Sequence, residues 1–244
     1  MSLSGLFITR RSASARRSRR GDTPVRSLAR IAGGIAIALV LIPLILTPLY
    51  AIVRPASTVI LAGWLTGQAV DRRWIALDNI APILPRTVIT AEDGRYCSHH
   101  GVDWSAITDV IGADDGPARG ASTITMQTVK NLFLWPQRSY LRKLFEVPLA
   151  YYADFVLGKR RILEIYLNVA EWGPGIYGVE AAAQRYFNRS AANLDARRAG
   201  LLAAALPNPL VRDLAKPGPR LQHLARVLSA RAARTAAETA CISR

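Results

Sequence analysis

The chain has 244 residues, half of them hydrophobic, and a formal net charge of +15. This length has room for one medium-sized domain plus an extra segment, and the hydrophobic fraction is ample for a packed core. The only two cysteines form no C-x-x-C or clustered Cys/His pattern, which argues against a structural zinc site.

The N-terminal part combines a basic tail with an apolar run. Residues 1–30 form an arginine-rich tail with eight arginines and one acid, Asp22. The next 23 residues, Ile31 to Val53, contain no charge, and about 20 apolar residues span a bilayer. The run therefore predicts a transmembrane helix at 31–53. A cleaved signal peptide is the alternative, but its apolar region is shorter and ends at small residues.

The charge on either side of this helix predicts its orientation. The positive-inside rule keeps the arginine-rich tail in the cytoplasm, so residues 54–244 lie on the outer, periplasmic face of a bacterial inner membrane. The exported part holds 24 basic and 16 acidic residues. A basic surface beside a membrane suits anionic headgroups or a phosphorylated lipid substrate. Export argues against nucleic acid as the partner.

Beyond the anchor the sequence predicts one mainly α domain without a convincing series of strands. A helix is expected over Thr87–His99, and a loop over Asp109–Gly120. Ser122 or Thr123 can cap a helix that runs to about Leu134. Pro136 starts another helix, which Pro148 should kink or end. The remaining predicted elements are helices at Lys159–Ala170, Val179–Phe187, Leu194–Leu206 and Leu221–Glu238, with a turn at Glu171–Gly178. Because Cys97 and Cys241 are far apart in the chain, a chance pair is favoured over a disulfide.

The first segment with candidate chemistry is AEDGRYCSHHG. On a continuous helix Glu92, Tyr96 and His99 would share one face. A glutamate beside an aromatic ring and a histidine can act as a general base. The alternative is an ordinary amphipathic helix with a solvated Glu-Asp pair.

Two further segments carry hydroxyl, amide and cationic groups. In GASTITMQTVKN, the side chains of Thr123, Gln127 and Lys130 share a helical face that can bind phosphate or sugar hydroxyls. The alternative is a capped surface helix. In the third segment Arg138, Arg142 and Glu146 fall on one stripe, where arginine can grip phosphate; the alternative is a common i,i+4 salt bridge. The chain has 28 arginines but only four lysines. Three of them lie in or just after these segments, which suggests that some must be compact ammonium groups.

The order and spacing of these segments resemble the motifs of family 51 peptidoglycan glycosyltransferases. EDGRYCSHHG is similar to E-D-x-x-F-x-x-H-x-G, GASTITMQTVKN to G-G-S-T-I-T-Q-Q-x-x-K-N, and RKLFE to R-K-x-x-E. KRRILEIYLN is similar to K-x-x-I-L-E-x-Y-L-N, and GIYGVEAAAQRYF and LLAAALPNP match later segments. The resemblance covers roughly residues 55–215 and is greatest to the monofunctional biosynthetic members. The chain contains no S-x-x-K or K-T-G, so no transpeptidase activity is expected.

The resemblance implies a lysozyme-like α fold with a membrane-facing side that polymerises lipid II and releases undecaprenyl diphosphate. Glu92 is then the general base that deprotonates the acceptor 4-hydroxyl, and the α-linked donor becomes a β-1,4 product. Glu146 is the second carboxylate, which assists on the diphosphate side. The remaining implied ligands are Lys130, Arg138 and Arg142 for the diphosphate, and Ser122, Gln127 and Asn131 along the groove.

The resemblance requires no cofactor but allows a divalent cation, Mg²⁺ or Mn²⁺, near Glu146. Cell-division and penicillin-binding proteins are candidate partners. Because an acceptor sugar must fit between Glu92 and Glu146, we expect their carboxyl groups to be at least as far apart as the roughly 6.5 Å of inverting hydrolases.

Two positions depart from the family pattern, and two other functions compete. Tyr96 stands where the family usually has Phe, and Met126 replaces the first Gln of the Q-Q pair. Since a thioether donates no hydrogen bond, a substrate or loop contact is expected to be lost at Met126. A lytic enzyme on the same fold would lack cations for a diphosphate, and a catalytically inactive scaffold would not need both glutamates.

Overall fold

The computed structural model describes residues 24–112, 121–137, 139–235 and 237–243, and these are mainly helical. The α-helices are α1 (Pro24–Leu49), α2 (Thr58–Thr66), α3 (Ile83–Glu92), α4 (Trp104–Ile111), α5 (Ile124–Phe133), α6 (Tyr140–Val169), α7 (Val179–Phe187), α8 (Ala196–Ala205) and α9 (Pro219–Ala232). Short 3₁₀ helices lie at Leu77–Asn79, Ala191–Asn193 and Ala237–Ile242. The predicted fold class is therefore confirmed.

Helix α1 contains most of the predicted apolar run but is shifted towards the N-terminus. The stretch Arg26–Leu49 is 24 residues long with a mean hydropathy of 2.4, and by length and composition it can cross a membrane. The helix starts at a proline, which favours the first helical position. Residues 50–53, predicted inside the span, instead form turns on the last carbonyls of the helix. By contacts the chain divides into two compact units, Met1–Leu39 and Val40–Arg244.

The main hydrophobic core lies between α3, the second half of α6, α7, α8 and α9. A second cluster joins α5 to the first half of α6. Gly101 fixes the approach of the loop after α3 to α6. Its φ is 86°, and a Cβ there would lie 2.4 Å from the Ala150 carbonyl oxygen, so only glycine fits. The loop that follows Glu92 is thus held against α6.

The predicted helix Thr87–His99 ends seven residues early, at Glu92. Asp93 leaves the helix with φ −156° and ψ 69°, and its buried carboxylate binds the His99 ring and the first amide of α5. The prediction that Glu92, Tyr96 and His99 share one helical face is therefore wrong. Tyr96 is buried and donates to the Lys159 carbonyl at 2.7 Å, and His99 orders the loop.

Pro148 neither ends nor breaks α6. The break lies at Gly158, where φ is 69° and ψ is 162°, a conformation that favours glycine. The predicted turn after α6 is a small hairpin of β2 (Glu171–Gly173) and β3 (Ile176–Tyr177). Strand β1 (Asp71–Arg72) pairs in parallel with β3.

Cys97 and Cys241 form a disulfide, with Cα atoms 5.5 Å apart and a sequence separation of 144 residues. The expectation of a chance pair is wrong, because the last 3₁₀ helix packs against the core beside the loop after α3. The backbone carbonyl of Ile242 also accepts a hydrogen bond from Arg160 at 2.7 Å. The bridge therefore fastens the C-terminal segment to the loop that follows Glu92.

Candidate active site

The three segments singled out in the sequence meet at the N-terminal half of α5. The Ile124 amide donates to Asp93 at 2.9 Å, which joins the first segment to the second. The Lys143 ammonium donates to the Ser122 hydroxyl at 2.8 Å, which joins the second to the third. The predicted convergence of these segments is present in the fold.

Glu92 is the last residue of α3 and is half-buried. Its Oε2 accepts a hydrogen bond from Gln127 Nε2 at 2.9 Å. Burial raises the pKa of Glu92 above its ordinary value, while the bond from Gln127 and the charges of Arg212 and Lys130 oppose that rise. A carboxylate with a raised pKa and a single neutral donor is a competent proton acceptor. Arg212, in the loop after α8, was not identified from the sequence; it lies three residues beyond the LLAAALPNP segment.

Gln127 is itself held from its other side. Its Oε1 accepts from the hydroxyl of Tyr166, in the second half of α6, at 3.2 Å. The Gln127 amide thus bridges the buried Tyr166 hydroxyl and the Glu92 carboxylate, so both of its ends are hydrogen-bonded within the protein.

The start of α5 is fixed by side-chain hydrogen bonds, as its sequence predicts. The Thr123 hydroxyl accepts from the Met126 amide at 3.1 Å and donates to the Gly101 carbonyl at 2.6 Å. This cap sets the direction of the first turn of α5, and with it the positions of Gln127 and Lys130 one and two turns later.

Glu146 is only 2% exposed and lies between two cations. Arg142 Nε is 2.8 Å from its Oε1, and Lys143 Nζ is 2.9 Å from its Oε2. The Arg142 guanidinium also donates to the carbonyls of Trp135 and Pro136, at 3.1 and 2.9 Å. Lys143 was not assigned to the site from the sequence, although its place three residues before Glu146 and the scarcity of lysine both pointed to it.

Lys130 is a cation at this site that is not committed to an ion pair. Among the residues that the structure describes, its ammonium makes no hydrogen bond or ion pair. Burial, followed by the charge of Arg142, lowers its pKa, and the carboxylates of Glu146 and Glu92 oppose that decrease. An ammonium that is desolvated and lacks a partner is suited to receive an anion.

Of the other predicted ligands, the structure describes two, Ser122 and Asn131. Ser122 lies at the site and accepts from Lys143. Asn131 is half-buried on α5, and its backbone carbonyl accepts from Thr58. Arg138 lies outside the described residues. No hydrogen bond joins Glu92 to Glu146 in the described chain, and their predicted separation stays a prediction.

Met126, which departs from the family pattern, is fully buried. It packs in the cluster that contains Val102, Val129 and Ala150, and its sulfur lies 4.0 Å from Lys143 Nζ. The side chain thus faces the protein interior, and a thioether fits this apolar cluster better than an amide would.

The donor set near Glu146 does not fit a resident divalent ion. Both of its oxygens face cations, Arg142 and Lys143. The residues described include one group of three side chains with metal-like spacing, Asp93, His99 and Asp103, and Glu146 is not part of it. In that group Asp93 already accepts from His99 and from the Ile124 amide, and Asp103 from Arg95, Ser105 and Ala106. The reaction proposed below therefore involves protein side chains alone.

Comparison with known proteins places this site in a family. The family described as Transglycosylase matches residues 59–233. A biosynthetic peptidoglycan transglycosylase of Brucella suis biovar 1 (strain 1330) is 54% identical over 212 residues, which covers 85% of this chain and 95% of the relative. The enzyme of the same description from Agrobacterium fabrum is 52% identical, covering 84% and 93%. That of Rhodopseudomonas palustris (strain TIE-1) is 54% identical, covering 85% and 89%.

Proposed function

This chain belongs to the transglycosylase family and is a peptidoglycan glycosyltransferase of cell-wall synthesis, and we propose that Glu92 is its general base. The substrates are lipid II and the growing glycan chain. The single observation that carries the role of Glu92 is its environment: a half-buried carboxylate with a raised pKa that is held by a neutral amide. Such a group is free to take a proton.

The proposed reaction is an inverting transfer. Glu92 accepts the proton of the 4-hydroxyl on the acceptor N-acetylglucosamine as that oxygen attacks the anomeric carbon of the lipid-linked donor. The new carbon–oxygen bond forms on the face opposite the diphosphate, and the old one breaks. The bonding electrons leave with undecaprenyl diphosphate, and the α-linked donor becomes a β-1,4 linkage. Glu92 then returns its proton to water.

The leaving diphosphate needs positive charge more than it needs a proton. Lys130 provides it, because its ammonium has no counter-ion among the described residues and lies within the electrostatic reach of both glutamates. Arg142 and Lys143 flank Glu146, and together with Lys130 they form what we call the basic wall. Charge that is already oriented towards the leaving group stabilises the transition state without reorganisation. Arg138 remains a proposed diphosphate ligand.

In this proposal Glu146 acts through the cations that it holds. A buried carboxylate with both oxygens at ion-pair distance is poorly placed to exchange protons with substrate. It fixes Arg142 and Lys143 in place and limits their mutual repulsion. Ser122 and Asn131 complete the proposed substrate-binding set.

We place the enzyme on the outer face of the bacterial inner membrane, with its N-terminus in the cytoplasm. Helix α1 is apolar enough to be the anchor. Near the C-terminal end of α1, the Leu44 carbonyl accepts a hydrogen bond from Tyr152 of α6 at 2.9 Å. The first half of α6 exposes large apolar side chains: Tyr140, Leu141, Leu144, Tyr151 and Phe155. An apolar face beside an anchor suits contact with lipid. The disulfide supports an oxidising compartment such as the periplasm.

The test is polymerisation of lipid II by the full-length protein in detergent or vesicles, read as glycan product. We expect polymer from the native protein and none from Glu92→Gln. Glu171→Gln is the matched control, because Glu171 also has a pKa raised by burial but lies in the β2–β3 hairpin. Cleavage of preformed glycan without polymer would instead support a lytic enzyme, and full activity of Glu92→Gln would refute the assigned base.

A further inference from the structure

The hydroxyl of Tyr166 reaches the active site from within the core. Its ring is 1% exposed, in the half of α6 that packs in the main core. The hydroxyl donates to Gln127 Oε1 at 3.2 Å, while Gln127 Nε2 donates to Glu92 at 2.9 Å. Tyr166 therefore makes no hydrogen bond with the proposed base and meets it only through the amide.

The chemistry of a primary amide makes this second contact consequential. An amide can turn either its oxygen or its NH₂ group towards a neighbour, and only NH₂ can donate to an ionised carboxylate. With its oxygen towards Glu92, the amide would repel the charged form and accept from the protonated one. A phenol that donates to Oε1 favours the first of these two orientations.

We propose that Tyr166 is a positioning residue for glycosyl transfer, which holds the Gln127 amide with its NH₂ group on Glu92 so that the carboxylate awaits the acceptor in its charged form. This inference rests on the proposed role of Glu92 as general base. It gives Gln127 a different task from the groove-lining one that the resemblance implied, since both ends of its amide are engaged within the protein.

The surrounding charges are consistent with this arrangement. Lys130 on α5 and Arg212 in the loop after α8 favour the ionised form of Glu92, and the adjacent Asp93 disfavours it. The pKa of Tyr166 is raised well above its usual value, by burial first and then by Glu92 and Asp93. The phenol thus keeps its proton, and remains a donor, throughout the pH range in which the enzyme would be assayed.

The experiment is the pH dependence of kcat for Tyr166→Phe in the lipid II assay. Without the hydroxyl the amide samples both orientations, Glu92 loses part of its donor, and its pKa rises. The acidic limb of the pH profile, where activity is lost as Glu92 becomes protonated, should then move to higher pH by about one unit. A hydrogen bond to a charged group corresponds to roughly one to two pKa units. The rate on the alkaline plateau should stay within about threefold of the native one.

Two variants separate positioning from general loss of structure. Tyr96→Phe removes another buried phenol from the same core, one that donates to the Lys159 carbonyl, and its acidic limb should not move. Gln127→Met removes the donor from a half-buried side chain and should shift the limb by at least as much as Tyr166→Phe. The Tyr166→Phe/Gln127→Met double variant should shift no further than Gln127→Met alone, because Tyr166 acts only through the amide.

The outcomes distinguish this inference from the proposed function. If Glu92→Gln abolishes polymerisation but Tyr166→Phe lowers kcat equally at every pH, or shifts the limb no more than Tyr96→Phe, Tyr166 is only structural and the inference fails. If the Tyr166→Phe protein does not fold, the Gln127→Met variant still provides a test. An acidic limb that is unshifted in Gln127→Met overturns the inference. If Glu92→Gln remains active, the proposed base is wrong, and the inference fails with it.

Discussion

Replacing Glu146 with glutamine tests whether this carboxylate touches substrate or serves as a counter-charge. The two roles predict different results, because a counter-charge matters for the folded protein even without substrate. Glu146 is 2% exposed, while Arg142 and Lys143 are 11% and 37% exposed. The substitution therefore leaves one nearly buried guanidinium and one partly solvated ammonium without their anion.

The size of the effect follows from these contacts. Breaking a buried ion pair by removal of one partner costs about 3–5 kcal/mol. We expect Glu146→Gln to lie near the lower end, at about 3 kcal/mol of unfolding free energy. Lys143 is partly solvated, and glutamine retains an oxygen that can accept a hydrogen bond. For a domain of this size, that corresponds to a Tm lowered by about 6–12 °C. Since Lys130 also loses a nearby anion and the basic wall is disordered, kcat should fall by about 10²-fold.

The assay pairs thermal unfolding with lipid II polymerisation for each member of a double-mutant cycle. Lys143→Met alone leaves Glu146 paired with Arg142 and should lower Tm less than Glu146→Gln does. In Lys143→Met/Glu146→Gln the orphaned ammonium is gone, so the double variant should recover part of the lost stability.

A Glu146→Gln protein with native Tm but abolished activity would refute this reasoning. It would show that the buried ion pairs contribute little and that the carboxylate acts directly on the reacting groups. Strict additivity of the two substitutions in Tm would likewise contradict a coupled pair.

Three other predictions concern the same site and its support. Lys130→Met should lower kcat by roughly 10²–10³-fold while Tm is unchanged or raised, because the ammonium is desolvated without a partner; native activity in the polymerisation assay would contradict this. Reduction of the disulfide should lower the free energy of unfolding by about 2–5 kcal/mol, seen as a lower Tm with reductant, whereas Cys97→Ser/Cys241→Ser should be insensitive to it. Met126→Gln, which restores the family residue, should lower stability by about 1–3 kcal/mol in denaturant unfolding, because it buries an amide in an apolar cluster; a rise in polymerisation rate would show that position 126 serves the substrate.

The sequence predicted helices of this domain correctly where their ends depend on residues close in the chain, such as a capping side chain. Thr123 caps α5 as expected, and α7 has the predicted bounds. The errors came from long-range contacts. Asp93 leaves α3 because its carboxylate serves an amide 31 residues later, and no periodicity within 87–99 reveals that partner.

The site shows the same division. Motif order predicted that Glu92, Gln127 and Glu146 belong to one site, and the Gln127 amide does bind Glu92. It did not reveal Tyr166, whose hydroxyl contacts Gln127 across a sequence separation of 39 residues. The disulfide was missed for a similar reason, because a sequence separation of 144 residues says nothing about a Cα–Cα distance of 5.5 Å.

The two glutamates illustrate how neighbours, rather than residue type, divide the chemistry. Glu92 has one neutral donor, and burial raises its pKa, so its charged form is reactive towards a proton. Glu146 faces two cations, and its charge is neutralised by the ion pairs with Arg142 and Lys143. Such different environments support the proposed roles of a base for Glu92 and an electrostatic support for Glu146. Lys130 lies within the field of both carboxylates. In the proposed mechanism its ammonium therefore stabilises the diphosphate while Glu92 removes the proton of the acceptor.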